Sequence, residues 1–547
     1  KSIPKFEEER IFYFRHEKGN KKSFAIVNGK TQEMVMNGEA WEILKLCNGE
    51  RIVEQIKEDF ATRYSYMNPT ADFLKDVVVT LFAFDKLWAL SWGKGGSPFM
   101  VNGTIKLNEK YEVEPSLAKS YEQIDDTTWK FTLNDSVTFS NGKKVTGKHV
   151  QQCLERAFKN NTRTVDYFDL NHVEGKGQEV YLYLNKPSGA LLNNLCEPLF
   201  TIYDASQSDE DIANHPICTG PFVVDDFVSE KTIETSRNEN YYDGKAKLDH
   251  VHFSQVSDSD ARVLALQSKE VDLANTIDYS SLKLFRKNKD YQVLEVLGPR
   301  TNVVYMNNES TFLNDKIIRQ ALSYSVDRES IVKLIGGKVA QGLYSSALPY
   351  GHVFNGYTFD LAKANALLNE AGYLDSNHDG IREKNGQKIV LNYYESADHG
   401  SSDANIIAQS LQSEAKKIGI EIKLNQVENV NDIKAAGTFD LCSANDSSAP
   451  TGDPETFVQQ RYLSTGSNNT GRYKNEEVDH LIQQFSTAYD LNQRQDLAKK
   501  ISEQILDDAG NIYVSYVPLN TVASSKVKGA ICHPVDYYMI TKDLDLK

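Results

Sequence analysis

The sequence predicts a small N-terminal unit of α+β class followed by a long α/β unit. Three observations predict it. Apolar residues change from strand-like to helical spacing near Gly38. KGGSP at 94–98 reads as a linker. Beyond Pro98, strand and helix patterns keep alternating to the C-terminus. No 18-residue apolar run occurs in the 547 residues, which excludes a helical membrane span. With 76 acidic and 61 basic side chains the net charge is −15, a poor match for a nucleic-acid backbone.

In the first unit, IFYFRHE and SFAIVNG read as strands, with GNKK and NGK as turns and QEMVMN as a third strand. Trp41 and Leu44 precede the Asn48-Gly49 break. Val53, Ile56 and Phe60 recur at helical spacing, and Asn68-Pro69 opens a third helix running through Val77–Phe84. KLWALSW is a closing strand or extended exit. The first 98 residues carry 15 basic and 14 acidic side chains, so the acidity lies beyond them.

MVMNGEAWEILKLCNGERIVEQIKEDFATRY, followed by a helix and a closing strand, resembles the PqqD-like family over about residues 10–92. The resemblance implies a small winged-helix-like domain, a RiPP recognition element that binds the leader peptide of a ribosomal precursor. QEMVMN ends a very small sheet, so its outer edge is expected to accept an extended chain. The expected leader contacts are Met34, Val35 and Met36 on that strand, with Phe73 and Val77 on the third helix. RIVEQIKEDFATRY has three basic and three acidic residues and makes a poor DNA helix. That weighs against the alternative of a transcription regulator with a solute-sensing module.

In the long unit, Trp129, Phe131 and Leu133 alternate as in a half-buried strand, and Asn141-Gly142 marks a hairpin turn. Thr146 caps a helix carrying Val150, Leu154 and Phe158. Asp360 caps another with Leu361, Ala364 and Leu368, which Gly372 ends. Ala404, Ile407, Ala408, Leu411 and Ala415 form one helical stripe, and Val478, Leu481, Ile482 and Phe485 form the next.

The ordered series PSLAKSY, WKFTLND, FSNGK, TGPF, RNENYY, ALQSKEVD and IRQALSYSVDR resembles the solute-binding proteins of family 5, which serve peptide and nickel importers of the ABC type. The resemblance covers about 100–547 and implies a two-lobed periplasmic-binding-protein fold of type II with an extra domain. The expected division is residues 1–93, linker 94–99, lobe I in 100–107, 214–300 and 516–547, extra domain 108–213, and lobe II 301–515. Hinge crossings are expected near Gly298-Pro299 and Pro518. The family's first strand and helix are replaced by the N-terminal unit. Either the lobe I sheet lacks that strand or KLWALSW supplies it.

The resemblance also directs the site. Family peptide binders hold the ligand's α-amino group with an Asp after the strand ending in FDL, and FDLCSANDSSAPTGDPETF offers Asp446, with Asp453 further on. The backbone of Ser443, Ala444 and Asn445 is expected to pair with an extended peptide. Short-peptide binders place an Arg after the strand equivalent to LNYYESAD. Here Tyr394, Asp398 and His399 stand in that region and no Arg does, which argues against a strict dipeptide site. A longer peptide or a cationic ligand remains, with a nickel or haem carrier as a further alternative.

Other chemistry is thin. DSNHDGIRE at 375–383 begins like a calcium loop, but position twelve is Gly386, so an Asx-rich turn is expected. His250 and His252 share a strand face, and two histidines alone do not make a metal site. H-E-x-x-H, G-x-S-x-G and P-loop patterns are absent. The expectation is a non-enzymatic binder with no cofactor and no metal. The six cysteines are far apart without a C-x-x-C pair and are expected to be free, mostly buried thiols. Lys1–Arg10 is charged and no apolar segment follows it, so no signal peptide is read. This points to the cytoplasm, against the extracytoplasmic setting that the family 5 resemblance implies.

Overall fold

The computed structural model describes strands at 14–16, 23–27 and 30–34, and residues 102–546 apart from 229–230, 257, 352–355, 397–401, 536–537 and 539. The chain divides into two compact units, Lys1–Gly93 and Lys94–Lys547. In the first, β1 (Phe14–His16), β2 (Ser23–Val27) and β3 (Lys30–Met34) form an antiparallel meander in that order. Val27 pairs with Lys30, so Asn28 and Gly29 separate them, the residue types that two-residue hairpin loops favour. The third strand therefore starts earlier than QEMVMN and ends at Met34. Val35, Met36, Phe73, Val77 and the expected helices lie outside the described residues.

The second unit opens with β4 (Asn102–Gly103) and the hairpin β5 (Ile105–Leu107) and β6 (Val113–Pro115). Then come β7 (Ala118–Asp125), β8 (Thr128–Leu133), helix α1 (Gly147–Asn160), β9 (Leu170–Lys176), β10 (Glu179–Leu184) and β11 (Thr201–Ile202), which returns to pair with β4. The order β7-β8-β10-β9 makes an antiparallel sheet. Along β8, Trp129, Phe131 and Leu133 are buried, as their alternation predicts. At the start of α1, the Thr146 N–H donates to His149 Nδ1 at 3.1 Å.

β12 (Phe222–Val228), β13 (Thr232–Arg237) and β14 (His250–Ser254) form a second antiparallel sheet. His250 and His252 share its exposed face, and His252 pairs with Glu234. The described residues hold no group of three or more His, Cys, Asp or Glu able to hold a metal.

Helices α2 (Ser259–Ser268) and α3 (Tyr279–Arg286) flank β15 (Leu273–Asn275), and β16 (Tyr291–Met306) follows. Next are α4 (Lys316–Tyr324), α5 (Arg328–Ile335), β17 (Lys338–Val339), α6 (Leu361–Glu370) and the hairpin β18 (Glu383–Lys384) and β19 (Gln387–Lys388). Asp258, Asp315, Asp327 and Asp360 each begin a helix by accepting a backbone N–H. Before β18 the Asp375 carboxylate accepts the N–H groups of Asp379 and Gly380 at 3.0 and 2.9 Å, and Lys388 pairs with Asp379. That stretch is an Asx-rich turn.

The remaining elements are β20 (Val390–Ser396), α7 (Ser402–Lys417), β21 (Glu421–Val427), α8 (Val430–Ala436) and β22 (Leu441–Ser447). They continue with α9 (Glu455–Arg461), α10 (Glu476–Thr487), α11 (Leu491–Asp507), β23 (Asn511–Ser524), β24 (Val527–Lys528) and β25 (Asp545–Leu546). The large sheet runs β15-β23-β16-β22-β20-β21, with β17 also on β23. β15 has β23 as its strand partner among the described residues, while KLWALSW lies outside them.

The sheet's two faces bury different cores. Val304, Met306, Leu391, Tyr393 and Leu441 pack with Ile318, Leu368, Ile407 and Leu411. Val303, Tyr305 and Cys442 belong to another apolar cluster, which reaches Phe485 and Ile501 and continues to Phe131 and Val180. The period of two along β16 makes this division. The sheet of β7–β10 therefore shares one core with α10 and α11. The long strands β16 and β23 lose register between Leu297 and Thr301, where Leu297 faces Pro518. Gly298, Pro299 and Pro518 interrupt the ladder where the sequence expects the hinge. Cys153, Cys196, Cys218 and Cys442 are buried free thiols, and Cys532 is partly exposed.

Candidate functional site

β20 is parallel to both β21 and β22 and lies between them. The chain leaves β20 on one side, through α7 to β21, and returns to its other side as β22. The carboxyl ends of β20 and β22 thus flank a topological switch point, where open α/β sheets hold ligands.

The backbone there is incompletely paired. β22 pairs with β20 only at Leu441 with Tyr393 and Cys442 with Tyr394. It runs on to Ser447 against β16, which pairs with it as far as Arg300. Beyond Cys442, the edge of β22 toward β20 has no strand partner among the described residues. β20 meanwhile continues through Glu395 and Ser396 alongside β21.

The expected residues fall around this gap. Ser443, Ala444, Asn445 and Asp446 are consecutive in β22, and Tyr394 lies on β20. Asp398 and His399 lie outside the described residues. The Ser443 hydroxyl is 2.6 Å from the Tyr393 hydroxyl and donates to Glu395 Oε1 at 3.3 Å, while its carbonyl accepts from Lys434 Nζ at 3.1 Å. Asn445 Nδ2 donates to Asn302 Oδ1 at 2.9 Å, and Asn302 Nδ2 donates to Ser515 Oγ at 3.0 Å. Ala444 and Tyr394 pack against the apolar cluster on the opposite face.

Asp446 does not present a free carboxylate. It is only 8% exposed, accepts from the Tyr305 hydroxyl, and pairs with Arg461 Nη2 at 3.3 Å. The Arg461 guanidinium lies 5.7 Å from the centre of the Tyr305 ring. Alternation turns Asp446 to the same face as Cys442 and Tyr305, so its charge is compensated inside the chain. The sequence expects a ligand ammonium at Asp446, and in this chain Tyr305 and Arg461 already meet that carboxylate. Asp453 is likewise engaged: Arg494 donates to its two oxygens at 2.9 and 2.7 Å, and to Glu455 at 2.9 Å. Burial pushes the Glu455 carboxyl up to about 7, with Arg494 opposing the shift.

Glu395 is a different kind of acid. It is 5% exposed, and burial lifts its carboxyl above the ordinary glutamate range, with the Ser443 hydroxyl opposing. The sequence reading did not select Glu395, Lys434 or Arg461. Only Glu395 left a signal: Leu391, Tyr393 and Glu395 alternate on one strand face, which places a carboxylate in line with two core residues.

The family model of bacterial extracellular solute-binding proteins, family 5 Middle, matches residues 112–469. The nickel-binding protein NikA of Staphylococcus aureus is 29% identical over 440 residues, covering 80% of this chain and 87% of that protein. The oligopeptide-binding protein AppA of Bacillus subtilis is 26% identical over 464 residues, covering 80% of this chain and 84% of that protein. The crystal structure of NikA from Staphylococcus aureus in complex with Ni(L-His)2 superposes with a TM-score of 0.71 at 27% identity, covering 84% of this chain and 97% of that one.

Proposed function

The chain belongs to the bacterial extracellular solute-binding proteins of family 5, and from that premise we propose that it is a non-enzymatic carrier that takes an extended peptide at the crevice between β20 and β22. The observation that carries this reading is the edge of β22 beyond Cys442, which offers backbone groups in strand geometry. Such an edge binds by main-chain pairing and leaves specificity to the flanking side chains. The register break at Gly298-Pro299 and Pro518 supports a hinge there, with ligand binding favouring closed lobes. An ABC-type permease is the partner this role implies.

The 29% identity to a nickel-binding protein favours a second reading, a carrier of a metal complex. The side chains joined by hydrogen bonds at the β20–β22 gap are Tyr393, Glu395, Lys434, Ser443, Asn445 and Asn302. Among the described residues this set holds no imidazole, the side chain that suits nickel, and its amide, hydroxyl and charged groups suit a peptide. Calorimetry of the full chain with a pentapeptide pool, Ni²⁺ with histidine, and haem separates the readings. Saturable heat with peptides supports the first, and tight nickel or haem binding without peptide binding overturns it.

For the N-terminal unit the proposed role is leader-peptide recognition, resting on its PqqD-like sequence and on the outer position of β3 in the meander. Amide exchange of the full chain with a candidate precursor peptide tests it. Slowed exchange at Lys30–Met34 is expected, and peptide binding with unchanged exchange throughout residues 1–93 contradicts it.

A further inference from the structure

We infer that Glu395 is the carboxylate that receives a protonated amine of the ligand. The inference rests on the peptide-binding reading above and names the residue that gives that site its charge preference. The acids on and next to β22 in sequence already have partners. Asp446 has Arg461, Asp453 and Glu455 share Arg494, and Asp440 accepts the Asn392 backbone N–H at 2.8 Å. Glu395 is as buried as Asp446 and Glu455, yet the Ser443 hydroxyl is the group that meets it among the described residues. No cationic side chain among them pairs with it.

A carboxylate removed from water is costly until a counter-charge or a proton arrives. Ser443 links this carboxylate to the open strand edge, because the same residue supplies the hydroxyl at Glu395 and the first backbone position beyond the last β20 pairing. An extended peptide laid along Ser443–Ser447 therefore has one end beside Glu395. An ammonium there forms charge-assisted hydrogen bonds that an acetylated amine cannot form. Lys434 occupies the Ser443 carbonyl, so the ammonium is directed to the carboxylate rather than to that oxygen.

The experiment uses the full chain, a pentapeptide recovered from a random pool, and its N-acetyl form. Glu395→Gln is expected to weaken the free-amine peptide tenfold or more. Acetylation is expected to weaken binding to the wild type by a similar factor and to leave binding to the variant nearly unchanged. Urea unfolding of the unliganded variant, with a midpoint no lower than the wild type, separates a binding role from a structural one. Equal affinity of both proteins for the free-amine peptide, or losses from mutation and acetylation that multiply, overturns the assignment. Absence of peptide binding to the wild type overturns the peptide reading itself and the assignment with it.

Discussion

At Asp446 a carboxylate, a guanidinium and a phenol satisfy one another. The Arg461 partner is fifteen residues away in sequence, at the end of α9, while Tyr305 comes from β16. Nothing in FDLCSAND announces either partner, so the acid was legible as a residue and illegible as half of a pair. Asp446→Asn leaves Arg461 mostly buried with one counter-charge fewer. We expect a loss of about 2–4 kcal/mol in urea unfolding, with the preference for free-amine peptides retained. A stable variant that loses that preference would return the anchoring role to Asp446.

The Arg494 cluster gives a second residue-scale prediction. Glu455 faces Arg494, Asp453 and Gln459, with Ser486 nearby, and burial holds its carboxyl up at about 7. A raised carboxyl binds its proton more tightly in the folded chain than in the unfolded one. Its contribution to stability is therefore full below the ordinary glutamate range and is lost as pH rises toward 7. Glu455→Gln should flatten that part of the stability–pH profile, measured by urea unfolding between pH 4 and 8. An unchanged slope would mean that Glu455 is already ionised across this range.

Elements were the most legible scale. Period-two alternation located β8, aspartate or threonine caps located α1 and α6, and one apolar stripe located α7. Glu395 was missed because its one signal, a carboxylate in line with Leu391 and Tyr393, does not by itself separate a site residue from a core one. Gly336 and Gly337 also went unread. They join α5 to β17 with φ of +82° and +84°. A Cβ on Gly336 would lie 2.4 Å from the Tyr279 ring of α3, and one on Gly337 would lie 2.2 Å from the Tyr516 carbonyl. Gly336→Ala should cost about 2–3 kcal/mol from backbone strain and the clash together. Tyr279→Ala in the same chain should recover the clash and leave the strain. A Gly336→Ala variant with wild-type stability would contradict this packing.

On the scale of the whole molecule, the ordered motif series carried the family, and the expected hinge coincides with a register break between Leu297 and Thr301. The open edge of β22 was not readable, because it depends on how far β20 follows it. If the crossings at Gly298-Pro299 and Pro518 act as a hinge, X-ray scattering should show a smaller radius of gyration with a saturating peptide than without it. No change with bound peptide would argue for a preformed closed crevice. The central claim is that a peptide adds to the edge of β22 that has no strand partner among the described residues. Amide hydrogen exchange of the full chain with and without a bound pentapeptide tests this most directly. Slower exchange concentrated at residues 443–447 is the predicted result, and tight peptide binding with unchanged exchange there would contradict it.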